Sequence, residues 1–149
     1  MSIRNWVRRS FGRMLSGTKA HLVGIAALLE LPAPVLEKMR SATDDECEAL
    51  LIEHVEGRHG GIADWRATLE QILETIEPCL TPEERTVLQG VRAASSKGVA
   101  EAIHLLDGRL SSPLRALRAI ESFGDSYIVV LVPRGKIDEF DRTSRYWLV

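Results

Sequence analysis

Aromatic residues make up only 5% of this 149-residue sequence, and only two residues are cysteine. Cys47 and Cys79 are too few for a disulfide scaffold. Cys47 also falls on an apolar helical stripe, where a buried thiol is the expected state. A reducing, cytoplasmic setting is the matching expectation. Also lacking is the apolar stretch of about 20 residues that a membrane-spanning helix needs. One apolar run, residues 22–29, follows a basic stretch as a secretory signal would. It ends in Glu30-Leu31-Pro32 rather than at a small-x-small cleavage site, so it reads as a core helix.

Catalytic signatures are missing as well. There is no Gly-x-Ser-x-Gly elbow, no His-Glu-x-x-His pair and no Cys-x-x-Cys pair. The best metal candidates are Cys47, Glu53, His54 and His59. Cys47 and His54 are about 10 Å apart along a helix that rises 1.5 Å per residue, too far to share one ion. Gly57-Arg58-His59-Gly60-Gly61 resembles a phosphate cradle but lacks the Gly-Lys-Ser/Thr ending. Its glycines are explained by the end of one helix and a turn into the next. No catalytic, cofactor-binding or metal-ligating residue is assigned, and no enzyme is expected.

What is present is a folded composition, 45% hydrophobic and 27% charged, at the length of one ordinary domain spanning 1–149. The net charge of −2 conceals an uneven distribution. Residues 1–29 carry five bases and no acid, and residues 30–84 carry fourteen acids and four bases. In the basic block, Ile3, Trp6, Val7, Phe11, Met14 and Leu15 repeat at helical spacing with the arginines mainly opposite. Such a segment suits docking on the core or contact with an anionic membrane surface through residues 2–15. Nucleic acid is a poor fit, because the acidic block repels phosphate.

Helices are expected over 19–31, from Pro34 through Met39, from the Thr43 cap to Gly57, from Ile62 to Ile76, from the Thr81-Pro82 start onward, and over 99–106. The β-branched run 127–132 predicts a strand, bounded by Gly124-Asp125 and Pro133. Its partners are expected in 117–123, reached by a hairpin, and in 146–149; a helix over 113–122 is the competing reading. A short helix is expected over 137–140. Taken together this is an α+β chain, with a mainly helical 1–110 followed by a small antiparallel sheet in 115–149.

The acids are the most specific functional signal. Glu70, Glu74 and Glu77 fall opposite the Trp65/Leu69/Ile72 stripe, and Glu53 and Glu56 belong to the preceding helix. If those helices pair antiparallel, their outer faces merge into one anionic surface. The expected function is therefore a non-enzymatic protein-binding module, such as a bacterial immunity or inhibitor protein. It would neutralise a basic toxin, with Glu53, Glu56, Glu70, Glu74 and Glu77 as partner contacts. The rivals are a small hydrolase or metal-dependent enzyme using His54 and His59, and a peripheral membrane or scaffold protein anchored by residues 2–15.

Overall fold

The chain's architecture comes from a computed structural model that describes residues 18–91, 97–111, 113–122 and 125–143. The expected N-terminal amphipathic segment and the expected strand at 146–149 lie outside these residues. The described elements are α1 (Thr18–Leu28), α2 (Ala33–Ser41), α3 (Asp44–Val55), β1 (Gly60–Asp64), α4 (Leu69–Ile76), α5 (Pro82–Leu88), α6 (Val99–Arg109), β2 (Ala116–Glu121), β3 (Ser126–Val132) and α7 (Ile137–Thr143). The class is α+β, as the sequence predicts.

Local chemistry explains most boundaries. Thr43, Thr68 and Thr81 each accept from the backbone N–H three residues on, while Glu46, Gln71 and Glu84 return the bond to the cap. These reciprocal boxes satisfy donors that a helix start leaves free. Gly57, at φ 75°, follows the end of α3 in the left-handed conformation that glycine adopts without a Cβ penalty. Glu30 takes φ 59° just beyond α1. Lys136 donates from Nζ to the Leu28 carbonyl at 3.2 Å and to Glu30 Oε1 at 2.8 Å, satisfying one carbonyl at the helix end.

The sheet has the order β1-β3-β2, with both pairs antiparallel. The central strand β3 is buried on both faces, which accounts for its unbroken apolar sequence. Ile128, Val130 and Val132 join Ile120 and the helices α1, α2, α3 and α7 in one core. Val129 and Leu131 join Ala63, Leu117, Ala119 and the helices α4, α5 and α6 in the other. Successive residues of a strand point to opposite faces, so a period of two distributes β3 between the cores. The run 22–29 serves this packing: Leu22, Ile25, Ala26 and Leu29 are buried in α1. No helix among the described residues is long and apolar enough to cross a membrane.

The structure corrects one boundary. Residues 60–64 form an edge strand, and the helix expected from Ile62 starts at Leu69 behind the Thr68 cap. Ile62 and Trp65 matched the helical spacing by coincidence, and Trp65 is 42% exposed rather than in the core stripe. A Cβ at Gly60 would lie 1.7 Å from the Val129 carbonyl oxygen, and one at Gly61 would lie 2.6 Å from Thr75 Cγ2. Glycine is therefore required at residue 60, where the β3 backbone approaches β1, while a Cβ at Gly61 would press on the Thr75 side chain of α4. The helix alternative for 113–122 also loses, since β2 pairs with β3 from Ala116↔Val132 to Glu121↔Tyr127.

Two polar clusters tie the layers. The Glu84 carboxylate accepts from Thr81 N at 2.9 Å and from Arg115 Nη2 at 2.7 Å, Nε at 3.2 Å and backbone N at 3.3 Å. Arg115 Nη2 also donates to the Cys79 carbonyl at 2.6 Å. At the outer edge of β2, Leu117 N donates to Asp107 Oδ1 at 2.8 Å. Arg118 then bridges Asp107 on α6 and Asp141 on α7 at 3.1 and 3.0 Å, joining the two helical layers across that edge.

Candidate docking surfaces

The acidic helices do not pair. The buried residues of α3 (Cys47, Leu51, Val55) belong to one core, and those of α4 (Leu69, Ile72, Leu73, Ile76) belong to the other. Each helix packs on β1 from its own face of the sheet, so the edge strand lies between the two groups of acids. The single merged surface expected from sequence is replaced by two separate ones. The reason is β1 itself: a strand inserted between α3 and α4 puts them in different layers.

The first surface is a groove of about 680 Å³ between α2 and α3. Ala42, Ala49 and Leu50 supply apolar lining, and Glu37, Glu46 and Glu53 are exposed around it. Lys38 is the one base among the lining residues. Glu37 and Glu46 reach this groove from α2 and from the first turn of α3; the sequence places Glu46 in the acidic cluster of its helix without making it a partner contact, and Glu37 is not assigned. Their signal was present in the short spacing between two helices that both carry acids. Glu56 follows the end of α3, exposed, where its backbone N–H donates to Ile52 O at 3.0 Å.

The second surface lies along β1 and α4, where Ile62, Ala63, Asp64, Ala67, Gln71, Glu74 and Thr75 line a shallower space of about 360 Å³. Of the predicted acids Glu74 lines it and is exposed, while Glu70, exposed on α4, and Glu77, half-buried just after that helix, lie outside the lining. A third groove, about 570 Å³, is rimmed by the bases Lys19 and Arg40 and floored by Ala20, Val23, Gly24 and Ala27 of α1.

The metal candidates are not brought together. Cys47 is buried in the core, and burial pushes its thiol above the usual range. The His54 ring bonds through Nδ1 to the Leu50 carbonyl at 2.9 Å within its own helix. His59 sits in the turn before β1, its imidazole held below the ordinary value by burial and then by Arg115 and Arg58. Among the described residues, no group of three or more His, Cys, Asp or Glu is placed to hold a metal ion. The glycine-rich stretch enters a strand rather than opening a helix, so it presents no helix N-terminus to a phosphate. Cys79 is half-buried, with its thiol 3.5 Å from the Gly60 carbonyl. Both cysteines are free and pack against different cores. Comparison with known protein families, with curated proteins and with solved structures finds no match to this chain.

Proposed function

We propose that this chain is a non-enzymatic protein-binding module that takes a basic partner on its acidic helical surfaces, as an inhibitor or immunity protein covers a cationic toxin. The observation that carries the reading is the α2/α3 groove, where an apolar floor is combined with a rim of Glu37, Glu46 and Glu53. Apolar anchors at the centre of an interface supply most of its affinity. A rim of one charge sign raises the encounter rate and selects partners of the opposite sign. A pair of helices with such a groove suits a helical or extended basic segment. Glu56, and Glu70, Glu74 and Glu77 on the other layer, add to the long-range field rather than to the same contact.

The test is a capture experiment with three versions of the full chain: wild type, E37K/E53K in the groove, and E70K/E74K/E77K on α4. Glu46 is left in place because its carboxylate caps α3. A basic protein retained by the wild type and by the α4 variant, but lost from the groove variant, supports the reading. The association rate of that partner should also fall steeply with salt. Equal retention by all three versions, or capture of acidic proteins only, would sink it.

A further inference from the structure

The two outer edges of the sheet are finished differently. At β2 the Leu117 N–H donates to Asp107 Oδ1 at 2.8 Å, and the Leu117 carbonyl accepts from Arg118 Nη1 at 3.0 Å. At β1, Leu131 N donates to the His59 carbonyl at 2.7 Å and Trp65 N to the Asp125 carbonyl at 3.0 Å, which sets the phase of the ladder with β3. Gly61 and Ala63 therefore turn their N–H and C=O groups to β3, while Gly60, Ile62 and Asp64 turn theirs outward. The Gly60 carbonyl accepts from Gly57 N at 3.1 Å and the Asp64 carbonyl from Ala67 N at 2.9 Å. Among the described residues, nothing meets the N–H and carbonyl of Ile62 or the N–H of Asp64. Lysine, proline or a bulge commonly blunts such an edge, and Gly60-Gly61-Ile62-Ala63-Asp64 has none of the three. Ile62 and Asp64 also line the space of about 360 Å³ beside α4, together with Ala63, Ala67 and Glu74 and with no base.

We propose that the β1 edge adds an extended segment of a partner protein to the sheet, one in which a lysine or arginine lies two residues from a β-branched residue. The Ile62 N–H and carbonyl bond the middle of the incoming strand, and the Asp64 N–H donates to a carbonyl two residues along it. Ala63 belongs to the α4 side of the sheet, so alternate side chains of the added strand turn towards that helix. The β-branched one covers Ala63 and Ala67, and the basic one meets Glu74. Charge selects the occupant: a second copy of β1 brings Asp64 and no base, so self-pairing would set acid against acid. This site is separate from the α2/α3 groove and does not depend on it. It reads backbone as well as charge.

The probe is the heptapeptide Thr-Val-Thr-Lys-Thr-Val-Thr, blocked at both ends, which places valine two residues from lysine in either direction. Amide hydrogen exchange of the full chain is followed by NMR with and without it. In the isolated chain the Gly61 and Ala63 amides should be protected, whereas those of Ile62 and Asp64 exchange freely. Saturating peptide should slow Ile62 and Asp64 at least about tenfold and leave Gly61 and Ala63 nearly unchanged, the alternation that a strand on the outer edge produces. E74K should weaken the peptide about fivefold and strengthen the same peptide with glutamate in place of lysine. Ile62→Pro removes the outward N–H without touching a bond to β3 and should abolish binding. I62K, which sets a like charge beside the lysine, replaces it if proline disturbs the strand. Failure of the peptide to protect Ile62 overturns the proposal, and so does equal binding of the lysine and glutamate peptides. Protection of Ile62 before peptide is added also overturns it: independent of protein concentration, it means that the chain itself covers the edge, and rising with concentration, that a second copy does. E37K/E53K should leave the peptide's affinity unchanged. A peptide that fails while the groove still captures a basic partner refutes this site alone, and a peptide that binds while capture fails refutes the groove alone.

Discussion

Replacing Arg115 by methionine should destabilise the protein in a manner set by pH. The Glu84 side chain is 1% exposed and that of Arg115 is 25% exposed. Removing the arginine therefore strands a carboxylate that water cannot reach, at a cost of about 3–5 kcal/mol near neutral pH. For a chain of this size that lowers Tm by about 10 °C. The reverse change, E84Q, keeps an acceptor for the Thr81 N–H and leaves a guanidinium that water partly reaches. It should cost only about 1–2 kcal/mol.

The pH dependence isolates the charge. Burial pushes the Glu84 carboxyl up, but Arg115 and the Thr81 N–H outweigh it, so the group sits below its ordinary value of 4.5. Its stabilising contribution is present above that ordinary value and is lost as pH falls through the folded one. Without the Arg115 guanidinium, burial is opposed only by the backbone N–H groups of Thr81 and residue 115, and the folded value rises. The penalty then grows as pH climbs from about 4 and is complete by about 7. Urea unfolding followed by circular dichroism at pH 4, 5.5 and 7 should show R115M close to wild type at the acid end and far below it at neutrality. The double variant R115M/E84Q should be more stable than R115M alone at pH 7. A gap that is the same at pH 4 and pH 7 would mean that Arg115 acts through packing or its bond to the Cys79 carbonyl.

Other outcomes follow from single positions. Gly60→Ala should cost at least about 3 kcal/mol or prevent folding, because its methyl would overlap the Val129 carbonyl, whereas Gly57→Ala meets open space and should cost about 1 kcal/mol through its left-handed backbone. Thermal melts of the pair check the order, and equal losses would refute the close approach of β1 and β3. Glu30→Gly relieves a left-handed glutamate at the loss of an exposed ion pair, and should leave the protein unchanged or up to about 1 kcal/mol more stable. His59→Asn should flatten the stability curve below pH 6.5. The folded imidazole titrates below its ordinary value, so stability is present above 6.5 and is lost as pH falls through the folded value. In native protein a thiol reagent should label half-buried Cys79 well before Cys47, which should react only on unfolding.

The parts of the fold that were legible from sequence are those whose cause is local. The boxes at Thr43 and Thr81 mark helix starts because cap and acceptor lie three residues apart on one chain segment. The run 127–132 reads as a strand because few other structures bury consecutive β-branched residues on two faces. β1 was missed because nothing local favours it: Gly-Gly-Ile-Ala-Asp has weak strand propensity. It exists because β3 needs a second neighbour and only glycine lets that neighbour close. The box at Thr68-Leu69-Glu70-Gln71 is also a local start signal, but the coincidental spacing of Ile62 and Trp65 carries the predicted helix straight through it. Missing β1 carried over into the site. Two helices joined by a turn pack as a pair, whereas two helices separated by an edge strand fall on opposite faces. That is why Glu53 is placed with Glu37 and Glu46 rather than with Glu70 and Glu74.

That separation also changes how the acids act on a partner. A helix packed on each face of a sheet puts the outer surfaces of α3 and α4 about 30 Å apart, taking roughly 10 Å for each of the three layers. The Debye length is about 8 Å at physiological ionic strength and about 30 Å at 0.01 M. In dilute salt an approaching cationic protein feels both groups together, and E37K/E53K and E70K/E74K/E77K should both slow association. At physiological salt the α4 acids are screened from anything seated on the α2/α3 groove. E70K/E74K/E77K should then lose its effect while E37K/E53K retains its own, since charges in contact are screened far less. Association rates by stopped flow at the two salt concentrations measure this directly. If the α4 reversal slows binding as much as the groove reversal at physiological salt, the partner reaches across the β1 edge and touches both layers.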